Sequence, residues 1–237
     1  MFSLNINKIE ERLERNETDM GLEFMPIFEG WAVDYDEEVN GANPEYQEVF
    51  ANYWQILDEI TAHSGQSVLE FGSGTGNLTE KLVAAGKTVY PVEPSPEMRD
   101  MAAKKDALQA TSFFAGDMEN FPLPPEPVDT IVSNLVFHHL TAEEKQKVLK
   151  EYNQILPIGG KIIFGDTMFL SQTVYDTYLR TEKEAGRQNL AADLEREYYP
   201  VISELDQYFQ KSGFQTTYRQ MNRFVWIVYA EKIMEAE

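Results

Sequence analysis

Residues 68–82 read VLEFGSGTGNLTEKL: a short run rich in apolar residues, three alternating glycines at positions 72, 74 and 76, then apolar residues at helical spacing. The first part has the length and character of a buried strand, and the last part that of an amphipathic helix. Glycines between them permit a tight turn and leave no side chain to obstruct a ligand at the helix N-terminus. Such a unit opens an α/β sheet.

The chain on either side keeps that rhythm. SVLEF (67–71), TVYPV (88–92), TSFFA (111–115), VDTIVS (128–133) and KIIFGD (161–166) alternate with stretches of helical spacing such as NLTEKLVAAG (77–86) and EMRDMAAKKDAL (97–108). Strands apolar almost throughout are expected when crossover helices cover both faces of a parallel sheet. Gly86 suits a helix C-cap, and Gly159–Gly160 a turn into the KIIFGD strand. At the C-terminus, FQTTYRQM (214–221) and RFVWIVYAEK (223–232) are separated only by a short turn near Asn222, so they pair antiparallel. The pattern predicts a mixed sheet of five parallel strands followed by a terminal hairpin, in one domain spanning 1–237. Residues 1–64 read as a helical cap, with Phe50, Trp54 and Leu57 at spacings of three and four. Residues 169–200 break the rhythm with a polar and aromatic helical stretch, either an insertion above the sheet edge or an ordinary crossover helix.

Composition narrows the functional classes. The chain has 237 residues, no cysteine, and 40 acidic against 20 basic side chains, for a formal net charge of -20. Without cysteine there is no disulfide, thiolate metal site or thiol nucleophile. The net charge repels a phosphate backbone, so no nucleic-acid partner is expected. No apolar run approaches the roughly 20 residues of a membrane span, and the acidic, interrupted start is not a signal peptide. A cytoplasmic protein with no membrane partner, monomer or homodimer, is expected.

The glycine loop departs from a dinucleotide fingerprint, which places its third glycine where Asn77 stands. Glu70, at the end of the first strand, suits the amino group of a methionine moiety and would repel a pyrophosphate. Glu93, in YPVEPS after the second strand, can accept both hydroxyls of a ribose. In GDMENFPL (116–123), Asp117 can accept an adenine amino group while Met118 supplies a soft wall against the ring. The order of these signals favours S-adenosyl-L-methionine (SAM), leaving S-adenosyl-L-homocysteine as product. Tyr35, Ser73, Gly72, Gly74, Gly76, Asn77, Pro94, Met98 and Asn134 complete the candidate cofactor set. Two other readings are a non-catalytic SAM- or nucleoside-binding regulator and an NAD-dependent oxidoreductase.

Through EFGSGTG, VEPS, GDMENFP and VSNLVFHHLT, the sequence resembles the class I SAM-dependent methyltransferases over residues 65–168. Through FEGWAVDYD, VLEFGSGTGNLT, VEPSPEMR, FHHLTAEEK and DLEREYYP, it is similar over nearly its whole length to the small YrrT-like methyltransferases of Bacillus and relatives. That resemblance implies a Rossmann-like, seven-stranded mixed sheet of order 3-2-1-4-5-7-6 with strand 7 antiparallel. It also implies SAM along the carboxyl ends of the strands, methyl transfer to a small-molecule acceptor, and a suggested place in methionine and sulfur recycling.

For the chemistry, His138 and His139 follow the predicted fourth strand, where either imidazole can accept a proton near neutral pH. Alternatively, one packs beside the adenosine while the other adjoins the helix whose start is marked by Thr141, Glu143 and Glu144. Asp166 ends the predicted fifth strand and either faces the acceptor or caps the next helix. Trp31 and Tyr35 share a helical face, suited to closing over SAM or to docking the cap. Together with Arg196, Tyr198 and Tyr199, they are the candidate acceptor contacts. The three histidines form no metal-binding motif in sequence.

Overall fold

In the computed structural model, which describes residues 35–236, the strand ahead of the glycine loop takes an interior place in the sheet. This is β1 (Ser67–Phe71), and β2 (Thr88–Val92), β3 (Thr130–Asn134) and β4 (Lys161–Thr167) follow in the chain. β5 (Phe214–Gln220) and β6 (Val225–Lys232) form the C-terminal hairpin. The order is β2-β1-β3-β4-β6-β5, parallel from β2 through β4, with β6 antiparallel to both of its neighbours.

The expected seven-stranded sheet of order 3-2-1-4-5-7-6, with five parallel strands, is therefore corrected to six strands among the described residues, four of them parallel. The missing strand is TSFFA, which is reduced to a single parallel bridge between Phe114 and Val92. Phe114 N–H donates to the Pro91 carbonyl and Glu93 N–H to the Phe114 carbonyl, both at 2.9 Å. Extending this ladder by one step would need an N–H from residue 91. Pro91 has none, so pairing stops after one rung.

Eight helices are described: α1 (Tyr35–Glu38), α2 (Tyr53–His63), α3 (Asn77–Ala84), α4 (Pro96–Ala103), α5 (Ala142–Ile155), α6 (Gln172–Glu184), α7 (Gln188–Arg196) and α8 (Ile202–Lys211). Their starts follow local chemistry. Ser95 accepts from Met98 N–H ahead of Pro96, and Thr141 and Glu144 form a reciprocal capping box at α5. α3 instead starts at Gly76, in a left-handed conformation with no side-chain cap, which leaves its first amides at the glycine loop.

Successive residues of each strand feed opposite cores, as the two-residue repeat requires. Leu69, Phe71, Ile131, Ile162 and Phe164 pack on one face with Phe137, Tyr152 and Phe209. Val68, Val132, Ile163 and Ile227 pack on the other with Ile56, Leu57, Ile60, Leu82 and Phe169. Helices α6 and α7 leave the sheet at Phe169 and return at Val201, and these two residues are themselves bridged. The excursion thus begins and ends at one point near the carboxyl end of β4. Among the described residues, no helix is long and apolar enough to cross a membrane.

Candidate functional site

The turn after β1 is built from glycines because the backbone is left-handed there, with φ +62° at Gly72 and +54° at Gly74. A side chain at Gly72 would strike Val136, whereas one at Gly74 would meet nothing within 4 Å. The loop borders a cleft whose lining includes Tyr35, Tyr53, Glu70, Ser73, Asn77 and Asn134. Seven of the sequence-derived cofactor candidates thus meet here: Tyr35, Glu70, Gly72, Ser73, Gly74, Asn77 and Asn134. Within this group, Ser73 Oγ and Asn134 Oδ1 are buried without a hydrogen-bond partner among the described residues. Unsatisfied buried polar atoms are costly and point to a polar occupant.

Glu70 accepts a 2.7 Å bond from the Thr79 hydroxyl, and burial pushes its pKa up to about 8. Glu93 is likewise buried, which raises its pKa; its two oxygens accept from Gly74 N–H at 2.8 Å and Ser95 N–H at 2.9 Å. It therefore ties the second strand's end directly to the glycine loop. Each oxygen keeps a lone pair for a further donor.

Other candidates also make contacts within the scaffold. Asp117 Oδ1 accepts the amides of Glu119 and Asn120, both at 2.7 Å, forming a local turn. Met118 belongs to the hydrophobic core, and its carbonyl accepts from the Tyr152 hydroxyl at 2.6 Å. Met98 is buried in the first turn of α4, and the Pro94 carbonyl accepts from Arg99. Gly76 is glycine because a Cβ would press on Leu108 and Ala102.

A second polar cluster lies at the carboxyl ends of β3 and β4. Asp166 is fully buried and takes His138 Nδ1 at 2.6 Å and the His138 amide at 3.0 Å. On the other side of the ring, His138 Nε2 lies 3.4 Å from Glu197 Oε2. Burial alone would lower the His138 pKa, but Asp166 and Glu197 more than offset it and raise the value. Burial and the neighbouring His138 drive the His139 pKa well below the usual histidine range. Tyr199 stacks on His138 at 4.9 Å and its hydroxyl donates to Glu197. Arg196 pairs with Asp193 and Glu197, while Tyr198 is largely exposed and its amide donates to the His138 carbonyl. Asp166 thus faces histidine and does not cap α6, whose N-cap is Ser171. Trp31 lies outside the described residues.

A family profile described as "Methyltransferase domain" matches residues 69–164. An uncharacterized methyltransferase of Bacillus pumilus is 50% identical over 213 residues, covering 90% of this chain and 99% of that protein. One from Anoxybacillus flavithermus is 48% identical, covering 90% of this chain and 100% of that protein. The chain belongs to this methyltransferase family. Its fold is also that of magnesium protoporphyrin IX methyltransferase from Synechocystis, solved with bound SAH. That structure matches with a TM-score of 0.66 at 18% identity, over 90% of this chain and 100% of the other.

The methyltransferase's sequence concealed several contributors to both clusters. Asp36 accepts from the Thr75 hydroxyl at 2.7 Å and from Asn77 Nδ2 at 2.9 Å, fastening α1 to the glycine loop. Lys105 donates to Asn77 Oδ1 at 2.5 Å. Tyr53 lines the cleft and its hydroxyl accepts from Asn77 Nδ2 at 3.4 Å. No local motif marks Lys105 or Tyr53, whereas Asp36 closes the FEGWAVDYD stretch. Glu197 sits inside DLEREYYP, beside the nominated Arg196, and the adjacency of two acids, an arginine and two tyrosines was the available signal.

Proposed function

We propose that this methyltransferase moves the methyl group of SAM to a small-molecule acceptor, as its Rossmann-like fold and family membership favour. The observation that carries the cofactor assignment is the cleft at the glycine loop. It combines buried polar oxygens on Ser73 and Asn134, an open face at Gly74 and the carboxyl group of Glu70, with Glu93 adjoining through its bond to the Gly74 amide. This acceptor-rich set suits a cationic nucleoside with an amino group and ribose hydroxyls, and it disfavours a pyrophosphate. Glu70 and Asn134 would hold the amino-acid end, Glu93 the ribose, and Asp117 the adenine side. The solved Synechocystis relative in fold was also obtained with bound SAM.

When bound, SAM supplies an electrophilic methyl on a sulfonium. The protein's task is then alignment, since a well-positioned pair of reactants needs little further assistance. Of the two histidines, His139 is the one whose burial favours the neutral, proton-accepting imidazole. Asp166 orients His138 and thereby the turn that carries both rings. α1 and the α6–α7 excursion, with Tyr35, Arg196, Tyr198 and Tyr199, form the acceptor-side lid in this reading. Kinship with the YrrT-like proteins, and with it a role in sulfur recycling, belongs to the same proposal.

Calorimetric titration with SAM and with NAD tests the cofactor. Binding of SAM and not NAD is expected; the reverse overturns the assignment. Incubation of the protein with methyl-labelled SAM and a metabolite extract then tests turnover, and a labelled small molecule is the expected product. SAM binding with no labelled product in any extract would favour a binding protein.

A further inference from the structure

The chain's fold brings a carboxylate from the end of the α6–α7 excursion to two histidines that are adjacent in sequence. Ligand-capable atoms of His138, His139 and Glu197 all lie within 4.8 Å of one another. We propose that these three residues form a binding site for a divalent first-row transition-metal ion such as Zn²⁺. The proposal is independent of SAM binding, and a bound metal takes up the one lone pair of the neutral His139 ring, so that His139 then ligates and does not accept a proton.

Three features of the geometry carry it. The first is the direction of His138. Asp166 Oδ1 sits 2.6 Å from Nδ1 and Asp166 Oδ2 accepts the backbone amide, so Nδ1 is the protonated nitrogen and Nε2 is turned to Glu197. A carboxylate on the distal nitrogen is the usual way in which a metal-binding imidazole is oriented and made more basic. Here that carboxylate is fully buried and also accepts the Thr167 amide at 2.7 Å, so its position is firm.

The second is spacing. His138 Nε2 and Glu197 Oε2 stand 3.4 Å apart. Two ligands bonded to a tetrahedral ion at about 2.0–2.1 Å are separated by roughly 3.4 Å. An imidazole lone pair and a carboxylate oxygen facing one another at this distance repel unless a proton or a metal cation lies between them.

The third is donor chemistry. Two imidazoles and one carboxylate suit Zn²⁺, Co²⁺ or Fe²⁺, whereas Mg²⁺ and Ca²⁺ prefer oxygen ligands alone. Arg196 faces Glu197 Oε1 at 3.3 Å, and Tyr199 donates to Oε2, so Glu197 is held in place with a lone pair still available. Lys145 is turned onto the carbonyls of Leu140 and Tyr198. Three protein ligands leave a coordination position open, as in catalytic sites, and an oxygen or sulfur of an acceptor is the class of ligand that would fill it.

The test is titration of the full-length, chelator-treated protein with Co²⁺, read by its visible ligand-field bands. The expected result is intense bands saturating at one equivalent, lost on adding Zn²⁺ and unaffected by excess Mg²⁺ or Ca²⁺. Glu197→Gln and His139→Ala should abolish the bands, and Asp166→Asn should weaken binding about 10- to 100-fold. Circular dichroism confirms folding of each variant. Should Asp166→Asn fail to fold, Glu197→Gln, at the side of the cluster nearer solvent, decides alone. Absence of bands in the wild type, or bands unchanged in Glu197→Gln and His139→Ala, overturns the site. Loss of the metal proposal with SAM binding intact would leave the proposed function standing.

Discussion

Asp166 grips His138 twice, through the ring Nδ1 at 2.6 Å and the backbone amide at 3.0 Å, and so fixes the turn after β3 to the end of β4. The two residues are far apart in sequence but lie on neighbouring parallel strands or just beyond them. Removing one partner of a buried pair leaves the other unsatisfied. Asp166→Ala should therefore destabilise the fold by about 3–5 kcal/mol, measured by urea unfolding. Asp166→Asn, which keeps an acceptor, should lose less. Equal, small losses would show that the pair contributes little.

Glu70 makes stability depend on pH in an unusual direction. Burial raises its folded-state pKa from 4.5 to about 8, so the native state retains a proton that the unfolded chain has released. Its contribution is thus most favourable below the unfolded value, declines as pH rises between the two values, and is lost beyond the folded one. Glu70→Gln should flatten that decline in urea midpoints. An identical pH profile in both proteins would place the titration elsewhere.

For Glu93→Gln, SAM affinity should fall about tenfold or more by calorimetry, equivalent to roughly 1.4 kcal/mol. One oxygen becomes an amide donor and can no longer accept from the Gly74 or Ser95 amide, so a lower melting temperature should accompany the change. An unchanged dissociation constant in folded protein would remove Glu93 from the cofactor site.

Gly72→Ala and Gly74→Ala separate packing from binding. Both force a left-handed alanine, at about 1–2 kcal/mol. At Gly72 the new methyl would also meet Val136 Cγ2 at 2.3 Å, whereas at Gly74 it enters open space. Gly72→Ala should therefore melt lower, while Gly74→Ala should be the better folded of the two and still bind SAM poorly. Normal SAM affinity in Gly74→Ala would mean that the open face is not ligand space.

The acceptor-side lid can be tested once an acceptor is found. Tyr35→Phe, Arg196→Ala and Tyr199→Phe should lower kcat/KM for the acceptor several-fold, with SAM affinity unchanged in the Arg196 and Tyr199 variants and weakened in Tyr35→Phe, whose ring lines the glycine-loop cleft. Tyr199→Phe removes the hydroxyl that donates to Glu197, and Arg196→Ala releases Asp193 and Glu197. Parallel losses in melting temperature, or unaltered kinetics in all three, would assign these residues to packing.

What sequence alone determined was local. The glycine loop, the strand–helix alternation, the Thr141 capping box and the antiparallel hairpin follow from backbone preference and short spacing, which act over a few residues. Even the lost strand had a local cause in Pro91, although its effect emerges only when a neighbour seeks that N–H. Tertiary structure decided the rest. It made Met118 a core residue, turned Asp117 onto its own loop, and fastened Asp36 to Thr75 and Asn77. It alone brought Glu197, carried by the end of the α6–α7 excursion, to the far side of the imidazole held by Asp166. The physical reason is that hydrophobic periodicity specifies which face of an element is buried, whereas the partner met by a polar side chain depends on how separately formed elements dock.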